Sequence, residues 1–298
     1  MAWSSILNYR TFMKLLVFGL GFSALHVAQR LQISGVQVTA TVRSRAKADS
    51  LAAAGITARL FSPEHADAEI ADDIAASDAI LVSVPPGESG DPVLASFAGR
   101  IGIAPNLRWI GYLSTVGVYG DHAGAWVDEA TPTTPGKGRS RLRTTAEQEW
   151  LALGAHVFRL SGIYGPGRNQ LVQLASGTAR RIVKRGQIFN RIHVADIAAV
   201  IEASLARPRP GAIYNVTDNE PAPPQDVVAF AARLCGLEPP AEIPFEAAEL
   251  SPMARSFYSE NRRVRNALIR EELGVTLEYP TYREGLTALR ALGDGPDA

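Results

Sequence analysis

The sequence holds a single cysteine, Cys235, in 298 residues. One thiol excludes an internal disulfide and any cysteine-based metal cluster, and it fits a reducing cytoplasm. Its setting in "VVAFAARLCGL" reads as a core thiol rather than a nucleophile. An excess of charge of one sign is missing too: 30 Lys+Arg balance 30 Asp+Glu, for a formal net charge of +0. That balance supplies no bulk attraction to nucleic acid or to an anionic membrane. No run of about 18 apolar residues occurs, so a membrane-spanning helix is not expected. Metal-ligand spacings of histidine and carboxylate are absent, as are a G-x-S-x-G nucleophile elbow, internal repeats and low-complexity tracts.

What is present is ordinary for a globular chain with a full core: 46% hydrophobic and 20% charged residues. The length allows one large domain or two modest ones. "MKLLVFGLGFSALHVA" has the lysine, apolar run and small residues of a leader peptide, yet His26 interrupts its end and Gly19 and Gly21 give it a second meaning. Residues 1–12 lack periodicity and read as a loose extension, with Met13 an alternative start.

Strand and helix signals alternate through the first half. "KLLVFGL" (14–20), "VQVTATV" (36–42), "ITARLF" (56–61), "AILVSV" (79–84), "LRWIGYLST" (107–115), "HVFRLSGIYG" (156–165) and "AIYNVTD" (212–218) read as strands. "SALHVAQRLQIS" (23–34) and "RAKADSLAAAG" (45–55) read as helices between them. Later come helical stretches at 193–208, 223–237 and, basic at its start, 259–275. Alternation at this spacing builds βαβ units on a parallel sheet. The expected architecture is α/β: a doubly wound Rossmann domain over 13–165, completed by about 193–218, with a smaller, discontinuous C-terminal substrate part over 166–298.

Between the first strand and first helix stands G-x-G-x-x-A, the run Gly19, Leu20, Gly21, Phe22, Ser23, Ala24. Gly19 permits the tight turn, Gly21 lets the backbone approach a pyrophosphate, and Ala24 keeps helix and strand close. The helix N-terminus then offers its N–H groups to the anion. An NAD-binding chain places an acid on the ribose about 20 residues further on. Here the second strand runs into Arg43, Ser44 and Arg45, and the nearest acid, Asp49, lies inside the next helix. A guanidinium there suits a 2′-phosphate, so NADP is expected in preference to NAD.

"YLSTVGVYGD" (112–121), "RLSGIYGPGR" (159–168), "RIHVADIA" (191–198) and "IYNVTDNEP" (213–221) follow that turn in order. Together they resemble the extended short-chain dehydrogenase/reductases, the NAD-dependent epimerase/dehydratase group, over roughly 14–290. The resemblance implies cofactor contacts at Val84, Pro85 and Pro86 after the fourth strand, at Leu113 and Ser114 on the fifth, and at Gly162 and Ile163. It implies a substrate-orienting role for Thr115 and dimer contacts through helices flanking the fourth and fifth strands. In that family Tyr-x-x-x-Lys follows some twenty residues after this strand. The matching stretch here is "PGKGRSRLRTTAEQ": Lys137 stands at the tyrosine position and Arg141 at the lysine position. The pattern therefore resembles the atypical members of the superfamily.

Without the tyrosine, the proton carrier is open. Lys137 can act as an acid if burial beside other cations lowers its pKa. Tyr119 and Tyr164 are the relocated alternatives, and Arg141 can hold ribose hydroxyls but not transfer protons. Lys137 and Arg141, one helical turn apart, either face the cofactor or face solvent. Asp196 reads as a helix N-cap beside a core histidine, His193. Arg180, Arg181, Lys184, Arg185 and Arg191 fit either an anionic small-molecule substrate or a solvated face. Two functions remain: an NADP-dependent oxidoreductase or epimerase-like enzyme acting on a small hydroxy or carbonyl compound, or a non-catalytic NADP-sensing regulator or scaffold.

Overall fold

Apolar residues at consecutive positions, rather than alternate ones, mark strands buried on both faces. "LLVF" and "AILV" are such runs, and they become the central strands of an eight-stranded sheet. The computed structural model describes residues 13–136 and 138–296. The extension 1–12 and the candidate Lys137 lie outside the described residues. In chain order the first elements are β1 (Lys14–Phe18), α1 (Phe22–Ile33), β2 (Gln37–Val42), α2 (Arg45–Ala53), β3 (Thr57–Ser62), β4 (His65–Ala66), α3 (Ile70–Ala76), β5 (Ala79–Val82), α4 (Pro92–Gly102) and β6 (Trp109–Thr115). A 3-10 turn (Val116–Tyr119) and β7 (Trp126–Val127) precede α5 (Arg139–Ala152), β8 (His156–Leu160), β9 (Gly162–Tyr164) and α6 (Gln170–Ala175). The chain continues through β10 (Arg181–Val183), β11 (Arg191–His193), α7 (Val194–Ala206), β12 (Ile213–Val216), α8 (Pro224–Leu234) and β13 (Glu242–Pro244). It ends with α9 (Pro252–Phe257), β14 (Arg263–Val264), α10 (Ala267–Glu271) and α11 (Tyr282–Ala291).

The large sheet runs β12-β8-β6-β5-β1-β2-β3-β4, with β1, β2, β3, β5 and β6 paired in parallel and the short β4 antiparallel on β3. This is a doubly wound α/β sheet of the Rossmann order, and the order reverses between β1 and β5. Leu16 and Phe18, Ile80 and Val82, and Ile110 and Tyr112 lie two apart on their strands and share one face. They pack with Ile74 of α3, Val93 and Phe97 of α4, and Ala146 and Trp150 of α5. Asp91 caps α4 through Oδ1, which accepts from the Val93 and Leu94 amides, and its Oδ2 accepts from Trp150 Nε1. No helix among the described residues is long and apolar enough to cross a membrane.

The chain divides into two units. The first comprises residues up to Thr115, Lys137–Arg159 and Ala198–Tyr214; the second comprises Val116–Gly136, Leu160–Ile197 and Asn215–Ala298. The second carries three two-stranded pairs, β10 with β13, β11 with β9 and β14 with β7. Leu171 of α6, Val227 and Ala231 of α8 and Leu286 and Leu289 of α11 form one of its cores. Cys235 is half-buried at the C-terminal end of α8.

Three sequence expectations change. The stretch 156–165 is two strands, because Ser161 N turns to Val216 O and Gly162 N to Asn190 O. The helix expected over 259–275 is instead β14 followed by the short α10. Asn190 holds this stretch extended, accepting from Val264 N and donating to Arg262 O, while the Arg263 and Arg265 amides donate to Ala125 O and Val127 O. Asp196 is not an N-cap. It lies in the first turn of α7, and its carboxylate accepts the amides of Glu278 and Tyr279.

Candidate functional site

The site in the first unit begins where β1 meets α1. Gly19 takes φ +85°, and a Cβ there would stand 2.8 Å from Val84 Cγ2 and 3.2 Å from Val84 N. The two strand ends on either side of the order reversal thus touch with no room for a side chain, which is where doubly wound sheets bind ligands. Thr41, near the end of β2, fixes the turn: its Oγ1 accepts from Gly19 N at 2.9 Å and its carbonyl from Leu20 N at 3.1 Å. Gly21 is different. Its backbone is extended (φ −85°, ψ −169°), and a Cβ would meet nothing within 4 Å. No side chain among the described residues caps α1, and no acid lies in its first turn. Open space over an uncapped helix start fits a dinucleotide's pyrophosphate. Leu20, Ser23 and Ala24 are buried beneath it, and Phe22 is half-buried.

Arg43, Ser44 and Arg45 follow the end of β2, all exposed. Ser44 caps α2, its Oγ accepting from Lys47 N at 3.4 Å. Arg43 has no hydrogen-bond or ion-pair partner among the described residues. After β5, Val84 and Pro86 are half-buried and Pro85 is exposed.

At the end of β6, Leu113 and Ser114 are buried and Thr115 is half-buried. Ser114 Oγ donates to Glu147 Oε1 at 2.5 Å. Glu147, 2% exposed, also pairs with Arg159, 4% exposed, through Arg159 Nη2 to Oε2 at 2.8 Å. Arg141 is exposed in the first turn of α5. Two residues on, Arg143 turns the other way: its Nη1 donates to Leu113 O, and its guanidinium lies 5.6 Å from the Tyr112 ring centroid. Local spacing does not single out Arg143, Glu147 or Arg159. A charge inside the apolar strand "HVFRL" was the available signal, since an arginine buried there requires a partner.

In the second unit, Tyr119 is fully buried, and its hydroxyl donates to Asn215 Oδ1 at 2.8 Å. Gly120, at φ +70°, lies so near Thr134 that a Cβ would fall 2.0 Å from its carbonyl oxygen. Tyr164 is buried, donates to Thr281 O at 3.4 Å and packs edge-on against His193. Burial pushes its hydroxyl pKa well up. Gly162 is exposed and Ile163 half-buried on β9. His193 is a core histidine, its Nδ1 accepting from Ala195 N. Asp218 is buried, its Oδ2 without a hydrogen-bond partner among the described residues; burial pushes its carboxyl up to about 8, against the opposing charge of Arg191.

The basic stretch 180–191 does not act as one cluster. Arg181 pairs with Glu242 at 2.9 Å, and Lys184 donates to Tyr258 O and lies over the Phe245 ring. Arg191 is buried and donates to Phe189 O and Ala222 O. Only Arg180 and Arg185 are exposed.

No protein-family model matches the chain. Protein YeeZ of Escherichia coli is 30% identical over 241 residues, covering 76% of this chain and 85% of YeeZ. A conserved protein of unknown function from Silicibacter pomeroyi has a solved structure 50% identical to the chain, with TM-score 0.86 and coverage of 95% and 99%. A structure from Methylobacillus flagellatus, provisionally described as an NAD-dependent epimerase/dehydratase, is 26% identical, with TM-score 0.72 over 94% and 98% of the two chains. The chain belongs to the YeeZ family, among the atypical, NAD-dependent epimerase-like short-chain dehydrogenases/reductases. A 3-diazoavenalumate denitrifying reductase from Streptomyces is 28% identical over 162 residues, 49% of this chain and 51% of that enzyme.

Proposed function

We propose that the protein is an NADP-dependent oxidoreductase or epimerase-like enzyme acting on a small hydroxy or carbonyl compound. The observation that carries the cofactor choice is Arg43, exposed past the end of β2, where among the described residues it has no ion-pair partner and no carboxylate stands for a ribose 2′-hydroxyl. Gly19 to Ala24 would hold the pyrophosphate, with Val84 to Pro86 lining the adenosine side. Bound there, NADP(H) would supply or accept the hydride. Thr115 would orient the substrate oxygen from the end of β6, with Leu113 and Ser114 beside it on the cofactor side; Ser114 is held by Glu147. Lys137 would carry the proton, a choice supported by the Tyr119 and Tyr164 hydroxyls, which donate to Asn215 Oδ1 and Thr281 O within the second unit. Arg141 would serve the nicotinamide end.

The test is calorimetric titration of NADPH and NADH into wild type and Arg43→Ala. A charge-assisted pair is worth about 1.5–3 kcal/mol, so NADPH is expected to bind at least tenfold more tightly than NADH, with Arg43→Ala levelling the two. Equal affinity in wild type overturns the NADP assignment. A second reading, a non-catalytic NADP-sensing regulator, is favoured by the two buried tyrosine hydroxyls. It stands if wild type binds NADPH yet oxidises none across a panel of ketones and aldehydes.

A further inference from the structure

Arg143 is a half-buried cation with an unusual set of neighbours. Its Nη1 donates to Leu113 O, which lies past the last rung of the β5–β6 register at Val82 and Tyr112. A weak 3.5 Å contact to the Tyr112 hydroxyl and the position over that ring complete its polar contacts among the described residues. No carboxylate lies within ion-pair distance among the described residues. The two acids that could neutralise it are committed elsewhere. Glu147, one turn along the same helix face, is held by Ser114 and by Arg159, whose Nε and Nη2 both reach it. Asp91 is occupied by the first amides of α4 and by Trp150.

A guanidinium has five donors in a rigid fork, and desolvating it without a counter-charge is costly. One carbonyl uses one donor. The ends of parallel strands are where ligands sit in such sheets, and Thr115 closes this strand two residues beyond Leu113. We infer that Arg143 binds an oxyanion of the substrate, a carboxylate or a phosphate, at the C-terminal end of β6. The inference rests on the proposed function only in taking that strand end as the substrate end. It replaces the basic stretch 180–191 as the source of anion recognition, since three of those five cations are engaged within their own unit.

The experiment titrates inorganic phosphate and, separately, malonate into the NADPH-saturated protein, so that the pyrophosphate position is already filled. Wild type should bind at least one of the two, and which one distinguishes a phosphate-bearing from a carboxylate-bearing substrate. Arg143→Gln keeps a donor for Leu113 O and removes the charge; it should weaken that anion at least tenfold and leave NADPH affinity within twofold. Arg143→Lys keeps the charge without the fork and should fall between, which preserves the test if the glutamine variant fails to fold. Unchanged anion affinity in these variants, with or without a lower melting temperature, overturns the inference in favour of a clamp on Leu113. Absence of binding of both anions to wild type overturns it as well. If wild type does not bind NADPH, it is the proposed function that fails; the difference between wild type and Arg143→Gln, measured without cofactor, still decides this inference.

Discussion

The two glycines of the turn should separate folding from binding. Gly21→Ala places a methyl group where nothing lies within 4 Å, on extended backbone that alanine adopts freely. Replacing glycine at such a position restricts the unfolded chain and contributes roughly 0.4–1 kcal/mol of stability. The same methyl occupies the approach to the uncapped start of α1, so NADPH affinity should fall at least tenfold, about 1.4 kcal/mol. Gly19→Ala should behave in the opposite way. At φ +85° an alanine costs roughly 1–2 kcal/mol. Its Cβ would also press on Val84 Cγ2 at 2.8 Å and on Val84 N at 3.2 Å, and the backbone atom cannot rotate away. A loss near 2–3 kcal/mol in all corresponds to a melting temperature lower by roughly 5–10 °C. Differential scanning fluorimetry and NADPH titration on both variants make the comparison. Wild-type NADPH affinity in Gly21→Ala, or an equal loss of stability in the two variants, would refute the assignment of the open space over Gly21 to the cofactor.

Glu147→Gln removes the counter-charge of a buried arginine, so urea unfolding should show a loss of about 3–5 kcal/mol; a change under 1 kcal/mol would mean Arg159 finds water or another acceptor. His156 is fully buried between Ile110 O and the Arg209 amide, which donates to its Nε2, and burial holds its pKa below the ordinary 6.5. Protonation is then easier in the unfolded chain: this contribution is complete above pH 6.5 and declines as the pH drops below it. Chemical denaturation from pH 7.5 to 5 should show that decline in wild type and a shallower one in His156→Gln. Asn190→Ala leaves Val264 N and Arg262 O without their shared partner, at about 1–3 kcal/mol; amide exchange at Val264 should accelerate while exchange in β1 and β5 stays slow, and uniform acceleration would contradict a local role.

Much of the first unit is legible from local pattern. Short apolar runs separated by helical spacing dictate a parallel sheet, because only strands covered on both faces tolerate apolar residues at every position. The glycine turn is legible because at Gly19 the backbone takes a conformation that other residues adopt only at a cost. The capping box that starts α11, Thr281 with Glu284, is also legible in "TYREGL". The stretch 259–275 was misleading because its helical composition is overruled by Asn190, more than seventy residues away in sequence.

The sequence by itself determined the α/β class, the position of the glycine turn between β1 and α1, the want of an acid after β2 and the basic run that leads into α5. These are matters of residue type at short spacing, where steric and hydrogen-bonding rules act locally. Tertiary structure alone decided which charges are free. Arg141 and Arg143 are two residues apart and indistinguishable in composition, yet one is exposed and the other is turned onto β6. Glu147 could have answered Arg143, one turn away, but Arg159 arrives from β8 and takes it. Burial enforces that pairing, because an unpaired charge costs far more in the interior than at the surface, and no local spacing rule reports which partner the fold will bring.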